Sequence, residues 1–441
     1  MPAFGRGKQV TAGDLVGAAR FLCMVRVMSS WKRTFYAMFV AQTCSIIGFS
    51  VALPFIPFYI RELGVTGDAN VRLWSGIVNA SAGVTMAISA PIWGMVADRF
   101  GRRLMVLRAM YGGAIVLTAM AFTQDVYQLT ACRLLQGALT GTITASTALV
   151  ASVTPRHRAG YALGMIQAAV YVGFSVGPFF GGVVADAFAD PVLGYRATFV
   201  VAGLFLLGGA LLVQFATEER FAPADPDDTE ARGSFRQVFV AAGFLAAVFV
   251  LLILRFANSV VTPIFALFVE DIVGPRGNIN KLVGTILGVG GVAAALGAFV
   301  FGRVSDAWGH KRLLVVLSIV CGILASLYYL AASIAHLFVI RILFGFTSAG
   351  MMPAANAIIR RTTHDRNMGR AYGVTASLGA IGWVLGPLAG GTLAAALGLR
   401  APFILMGAVL VLTAAVVAWR VDAEQNVPVC PPPESRDQLE E

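Results

Sequence analysis

The sequence predicts an all-α membrane protein in which twelve transmembrane helices form two pseudo-symmetric six-helix bundles. Composition, a series of apolar runs and an internal repeat carry that prediction. Of 441 residues, 58% are hydrophobic and 13% charged, where soluble domains run nearer ~45–50% and ~25%. A soluble enzyme of this composition would lack the polar groups to cover its surface. A membrane β-barrel would show short alternating segments instead of long apolar runs. At ~20 residues per span, twelve helices consume ~240 residues, which leaves an ordinary share for loops.

Taken in order, the runs fall at 34–60, 74–97, 104–122, 127–151, 161–185 and 197–217, then at 238–269, 282–303, 312–332, 337–359, 371–395 and 401–420. The expected organisation is a cytoplasmic tail over 1–33, a bundle over 34–217, a linker over 218–237, a second bundle over 238–420 and a tail over 421–441. The linker holds Pro223, Asp225, Pro226, Asp227, Asp228 and Glu230 and reads as solvated chain. Twelve spans put both termini on one side. Lys and Arg crowd that side, while the opposite side holds Arg61, Arg72, Arg196, Arg276, Lys281 and Arg400. The positive-inside rule therefore predicts cytoplasmic termini. Nothing before Trp31 resembles a cleavable leader. The stretch 15–28 reads as a loose tail, as a basic amphipathic helix on the inner leaflet, or as an over-extended start preceding Met24 or Met28.

The halves superpose on one another at a shift of 208 or 209 residues. Gly94, Asp98 and Gly101 fall on Gly302, Asp306 and Gly309; Arg133 and Gly137 fall on Arg341 and Gly345. Gly173, Gly177, Pro178, Gly181 and Gly182 fall on Gly382, Gly386, Pro387, Gly390 and Gly391. Pro54 and Glu62 fall on Pro263 and Asp271. Six helices return the chain to its starting side, so the repeats run parallel about an axis along the membrane normal, a plan used by two-domain transporters.

The loop after span two contains Gly94, Asp98, Arg99, Gly101, Arg102 and Arg103, and its copy contains Gly302, Asp306, Gly309 and Lys311. Glycine permits the tight turn, and the basic residues hold the loop in the cytoplasm. These segments resemble the signature loop of the major facilitator superfamily, and the resemblance covers about residues 31–420. It implies the major facilitator fold and a conformational latch at this loop. The second copy has Ala307 where the first has Arg99, which implies a weaker latch.

Arg133, with Gln136 and Gly137 following in span four, is costly in an apolar span unless it faces a cavity or a partner. It is similar to the arginine motif of the superfamily's proton-coupled antiporters, where such a residue is thought to influence a nearby acid. Snorkelling to the interface is the competing reading. Arg341 is its repeat mate, and Arg255 lies deeper in span seven as a cavity candidate. Gly173, Gly177, Pro178, Gly181 and Gly182, with Gly382, Gly386 and Pro387, resemble the antiporter motif; the proline removes a helical hydrogen bond and the glycines admit a second backbone. The run from Trp31 through Leu53–Tyr59 and the segments Leu63–Gly67 and Trp74–Ile77 resemble the MdtG-type branch of the twelve-helix drug:proton antiporters.

No Asp or Glu lies at mid-span. The coupling candidates are therefore Glu62, Asp186 and Asp271 at span ends, beside Arg133 and Arg341. The substrate cavity is expected to draw on Phe49, Phe58, Gln136, Tyr171, Arg255, Asn258, Phe265, Phe344, Asn356 and Trp383, an aromatic and sparsely polar set suited to varied amphiphiles. No phosphate-binding loop occurs, and the four histidines and five cysteines lack ligand spacing. Neither a cofactor nor a metal is expected, nor nucleic acid as a partner, nor enzymatic activity. The expected partners are small amphiphilic compounds, protons and the lipid bilayer.

The sequence thus reads as a monomeric multidrug exporter of a bacterial inner membrane, probing two rivals. One is an exporter or facilitator of a specific metabolite such as a sugar, against which Thr217–Phe221 and Val421–Glu424 lack the expected sugar-uptake signatures. The other is a non-transporting receptor or scaffold on the same fold.

Overall fold

The computed structural model describes residues 30–155, 158–219, 244–274, 278–362 and 368–420. The two tails, most of the linker and the side chains of Asp98 and Asp306 lie outside the described residues. Among the described residues there is no strand, and twelve helices are long and apolar enough to cross a membrane. They are Trp31–Glu62, Asp68–Ala97, Arg102–Met120, Val126–Val153, Ala159–Ala185 and Pro191–Ala216, followed by Val248–Val273, Ile279–Ser305, His310–Leu330, Ile334–Ile358, Leu378–Leu397 and Ala401–Trp419.

Spans two and eight start earlier than their apolar runs suggest. Each begins with a polar first turn: Asp68 is exposed, and Asn280, though buried, donates a hydrogen bond to Asp186. Span seven is helical from Phe244, and residues 238–243 lie outside the described residues.

Breaks in the helices repeat with the sequence. Span one tightens to a 3-10 turn over Leu53–Phe55, beside Pro54, and span seven unwinds between Val260 and Phe265, beside Pro263. Span four breaks at Gly141, whose φ of 134° is open only to a residue without Cβ. Span ten breaks at the equivalent place, between Ser348 and Met351. Pro91, Pro178 and Pro387 lie inside helices that run on through them.

Span one packs on five and six, span two on four, and span three on six; the second half repeats the pattern with seven on eleven and twelve, eight on ten, and nine on twelve. Two pairs join the halves, span two with eleven and span five with eight. Large apolar side chains such as Ile115, Phe215 and Trp419 stand 70–80% exposed, as residues facing lipid should.

Candidate functional site

The halves meet at the end opposite the termini, here called the far end. On one side of the axis a Cβ on Gly76 would strike the carbonyl oxygen of Pro387; on the other a Cβ on Gly284 would strike that of Pro178. Gly83 lies against Trp383 and Val384, and its mate Gly291 against Ser175. The Ser175 hydroxyl donates to the Gly288 carbonyl at 2.8 Å. Glycine is needed at these points because the backbones nearly touch.

Polar groups close the rim. Arg61 donates two hydrogen bonds to the Glu270 carboxylate, each at 3.1 Å. The Asp186 carboxylate accepts from Asn280 Nδ2 and from the Lys281 backbone N–H, both at 2.7 Å. Arg72 donates to the Ala394 carbonyl at 3.3 Å. Of the coupling candidates, Asp186 therefore bridges the halves, whereas Glu62 and Asp271 are exposed at the rim. Glu270, next to Asp271, was not among the candidates. Its signal was available: Glu270 stands 209 residues after Arg61, so repeat-equivalent positions carry opposite charges and meet at the axis.

Toward the termini, or near end, the same helices separate. Gly160 and Gly164 of span five, Gly94 of span two and Gly302 of span eight have open space beside them. Ile88, Met95, Leu296 and Phe299 are each at least 60% exposed. The close backbone approach that joins the halves at the far end is therefore absent beside these near-end glycines.

Within each half the paired glycines bind span one to five and span seven to eleven. Gly177 faces the Ser50 hydroxyl and Gly386 faces that of Ser259; Gly181 meets the Val51 carbonyl and Gly390 that of Val260. Ser50 donates to the Gly173 carbonyl at 3.0 Å, and Ser259 to that of Gly382 at 2.9 Å. Gly182 instead faces Asn280 across the seam. Ser50 and Ser259 escaped the sequence reading, although their spacing matches the repeat.

Arg133 is 5% exposed, which removes the snorkelling alternative. Its Nε donates to the Val78 carbonyl at 3.2 Å, Nη1 to Gln136 Oε1 at 2.7 Å and Nη2 to Asn79 Oδ1 at 3.4 Å. Every one of these partners is neutral. Below it, span two offers one donor per turn to span four: Thr85 to the Leu134 carbonyl, Ser89 to Gly137 and Trp93 to Ala138. Arg108 lies 3.6 Å over the Trp93 ring. Arg341 lacks such a cage, since Phe344 stands where Gln136 does, and its guanidinium lies 5.4 Å above Phe265.

At the near-end loop, Gly101 turns with φ 94°. The backbone N–H groups of Arg102 and Arg103 donate to the two oxygens of Glu219 at 3.0 and 2.8 Å, capping the helix Arg102–Met120. Arg103 also donates to Gln214 and Thr217, and Arg102 to Ala148. None of these bonds crosses to the other half. Arg99 stacks on its neighbour Phe100, and Lys311 is half-buried beside Gly309, whose φ is 85°.

The cavity set divides. Arg255 and Asn258 are exposed, and Tyr171, Trp383, Phe49 and Asn356 are half-buried. Four others are buried in packing in this structure. Phe58 stacks on Tyr195, Phe265 packs edge-on to Tyr328, Gln136 holds Arg133, and Phe344 is 5% exposed.

The model of the Major Facilitator Superfamily matches residues 38–274 and 247–440. The chain is 33% identical over 391 residues to the multidrug resistance protein MdtG of Serratia proteamaculans, covering 88% of this chain and 94% of the relative. It is 31% identical over 392 residues to that of Yersinia enterocolitica, covering 88% and 93%. A solved bacterial homologue of the human lysosomal transporter Spinster, inward-facing and occupied, superposes with a TM-score of 0.72 at 15% identity, over 88% of this chain and 96% of that one. At that identity the likeness speaks for the fold, which is the one seen here. With this fold and these matches over most of its length, the chain belongs to the Major Facilitator Superfamily, as a membrane transporter of the MdtG type.

Proposed function

We propose that this chain exports small amphiphilic compounds across a bacterial inner membrane as a monomer, exchanging them for protons by alternating access. The observation that carries the reading is the one-sided seam, sealed from Arg61–Glu270 and Asp186–Lys281 down to Gly83 and Gly291 and open beyond. Basic loops favour a cytoplasmic near end, so the seam opens toward the side from which an exporter loads. The relatives' names supply multidrug resistance as the outcome. Asp186 is the foremost of the coupling acids, because it alone among the three candidates bonds across the halves. In the opposite state the near-end loops around Asp98 and Asp306 would latch the halves instead.

The test is reconstitution in liposomes under an imposed pH gradient, following lipophilic dyes and a pH probe together. Dye movement with matching proton flux, both reduced by Asp186→Asn, is the expected result. Dye movement without proton flux would remove the proton from the reading, and transport of a sugar with none of the dyes would replace it by the metabolite alternative.

A further inference from the structure

Span three turns one stripe of its surface outward. Leu104, Ile115 and Phe122 fall within about 20° of one another round the helix, and each is at least half exposed, as side chains facing lipid should be. Arg108 lies on that stripe, four residues after Leu104 and seven before Ile115. It stands six residues from Arg102, the first of the span, about 9 Å along the axis. At the positions of Arg108, Ile115 and Phe122 the repeat carries Val316, Ile323 and Leu330, and all three are exposed as well. The fold is therefore complete with an apolar side chain here, and Arg108 is a charge added to a lipid-facing surface.

That charge is not left to reach for water. A snorkelling arginine extends its head toward the interface, whereas the Arg108 guanidinium lies 3.6 Å over the Trp93 ring of span two. The ring is itself fixed, because its Nε1 donates to the Ala138 carbonyl of span four at 2.7 Å. Nε and Nη1 of Arg108 are shielded and find no acceptor, and no ion pair reaches the residue among those described. The position of Asp98 is five residues past that of Trp93 and about 140° round the helix.

A guanidinium held flat in an apolar groove, with donors unspent, is preorganised for an oxyanion, which its planar fork meets in two-point fashion. The groove lies toward the near end, whose loop carries Arg99, Arg102 and Arg103. Anionic headgroups are drawn to such basic segments and settle in basic pockets between helices. A zwitterionic headgroup would bring an ammonium with no carboxylate to receive it. Glu219 is spent on the N–H groups of Arg102 and Arg103, and Glu218 pairs with Arg33.

From these observations we infer that Arg108 and Trp93 form a docking site for the phosphodiester of an anionic phospholipid in the near-end leaflet, with an acyl chain lying along Ile115 toward Phe122. The site takes lipid, not cargo, and stands or falls independently of the export reading.

The test uses the delipidated full chain in detergent, with phosphatidylglycerol as the probe and phosphatidylcholine as the comparison, and counts bound copies by native mass spectrometry. One copy of phosphatidylglycerol should be retained in preference to phosphatidylcholine. Arg108→Gln should weaken that copy about tenfold, the yield of one charge-assisted contact, and Arg108→Lys should keep part of it. Arg303→Gln, which removes an exposed near-end arginine lying 4.0 Å over Phe299, should leave it unchanged. Without lipid, Arg108→Gln should unfold at the temperature of the unaltered protein, because it strands no acceptor. If that variant does not fold, Arg108→Val, which copies the repeat, takes its place; failure of both would make Arg108 a structural residue and overturn the assignment. Equal retention of the two lipids, a preference that survives Arg108→Gln, or an equal loss in Arg303→Gln also overturns it. Millimolar inorganic phosphate should not displace the lipid; displacement would assign the site to a free anion instead.

Discussion

The Asp186 carboxylate accepts the backbone N–H of Lys281 at 2.7 Å, so the residue that ends span five in one half caps the first turn of span eight in the other. A carboxylate at a helix N-terminus is favoured both by the unpaired N–H groups and by the helix dipole. The repeat puts Ala395 at the position of Asp186, so the clasp is one-sided. Asp186→Ala should cost the closed far end about 1–2 kcal/mol, shifting the population of far-end-open molecules roughly tenfold. Spin labels at Gln124→Cys and Ala332→Cys, in far-end loops of opposite halves, should report the longer distance.

Arg61 and Glu270 form a two-point pair at the axis. Arg61→Glu should open the rim by setting two carboxylates against each other. Adding Glu270→Arg should restore the distance seen in the unaltered protein, and a double variant no better than the single one would show that the pair contributes nothing.

The glycines give a matched comparison. A Cβ on Gly181 would collide with the Val51 carbonyl, while one on Gly160 would meet nothing within 4 Å. Gly181→Ala should destabilise by about 1–3 kcal/mol through backbone displacement. Gly160→Ala should be neutral or mildly stabilising, as alanine is the better helix former. Thermal unfolding in detergent, monitored side by side, checks both.

Removing Arg133 strands Asn79 Oδ1 and Gln136 Oε1 in the interior, at about 1–3 kcal/mol each. Arg133→Ala and Arg133→Lys should both lower the unfolding temperature, because a single ammonium cannot reach three acceptors in the guanidinium's geometry. Arg341→Lys should be tolerated better, since its contact with Phe265 asks only for positive charge.

Glu219→Ala should uncap the helix that begins at Arg102, at a cost of about 1 kcal/mol. Hydrogen exchange at the amides of Arg102 and Arg103 should accelerate, with the amides of span four unchanged.

Much of this architecture was legible in the sequence. Runs of apolar residues located the spans because lipid permits no unpaired backbone. The repeat located the glycines, because two-fold packing needs small residues at both copies. The cavity was harder. Phe58 and Phe265 read as cavity aromatics, but which way a ring points depends on rotation about the helix axis, and each turned into a neighbouring ring. The rim showed the same difficulty at finer scale. Asp271 matched Glu62 by repeat, yet a step of one residue turns the helix by about 100°, and it was Glu270 that faced Arg61. Glu219 was assigned to a solvated linker on composition, which carries no information about the helix start it caps.

The donor ladder from Thr85, Ser89 and Trp93 to span four also bears on how a broken helix is tolerated in lipid. Until spans two and four meet, the Gly137 and Ala138 carbonyls, just before the break at Gly141, lack these side-chain donors. Pairing of spans two and four therefore satisfies carbonyls that hydrocarbon would leave unbonded. The corresponding seam between spans eight and ten is filled by Phe301 against Phe346. The two halves thus meet the same helix break in different ways, one with side-chain donors and the other with paired rings.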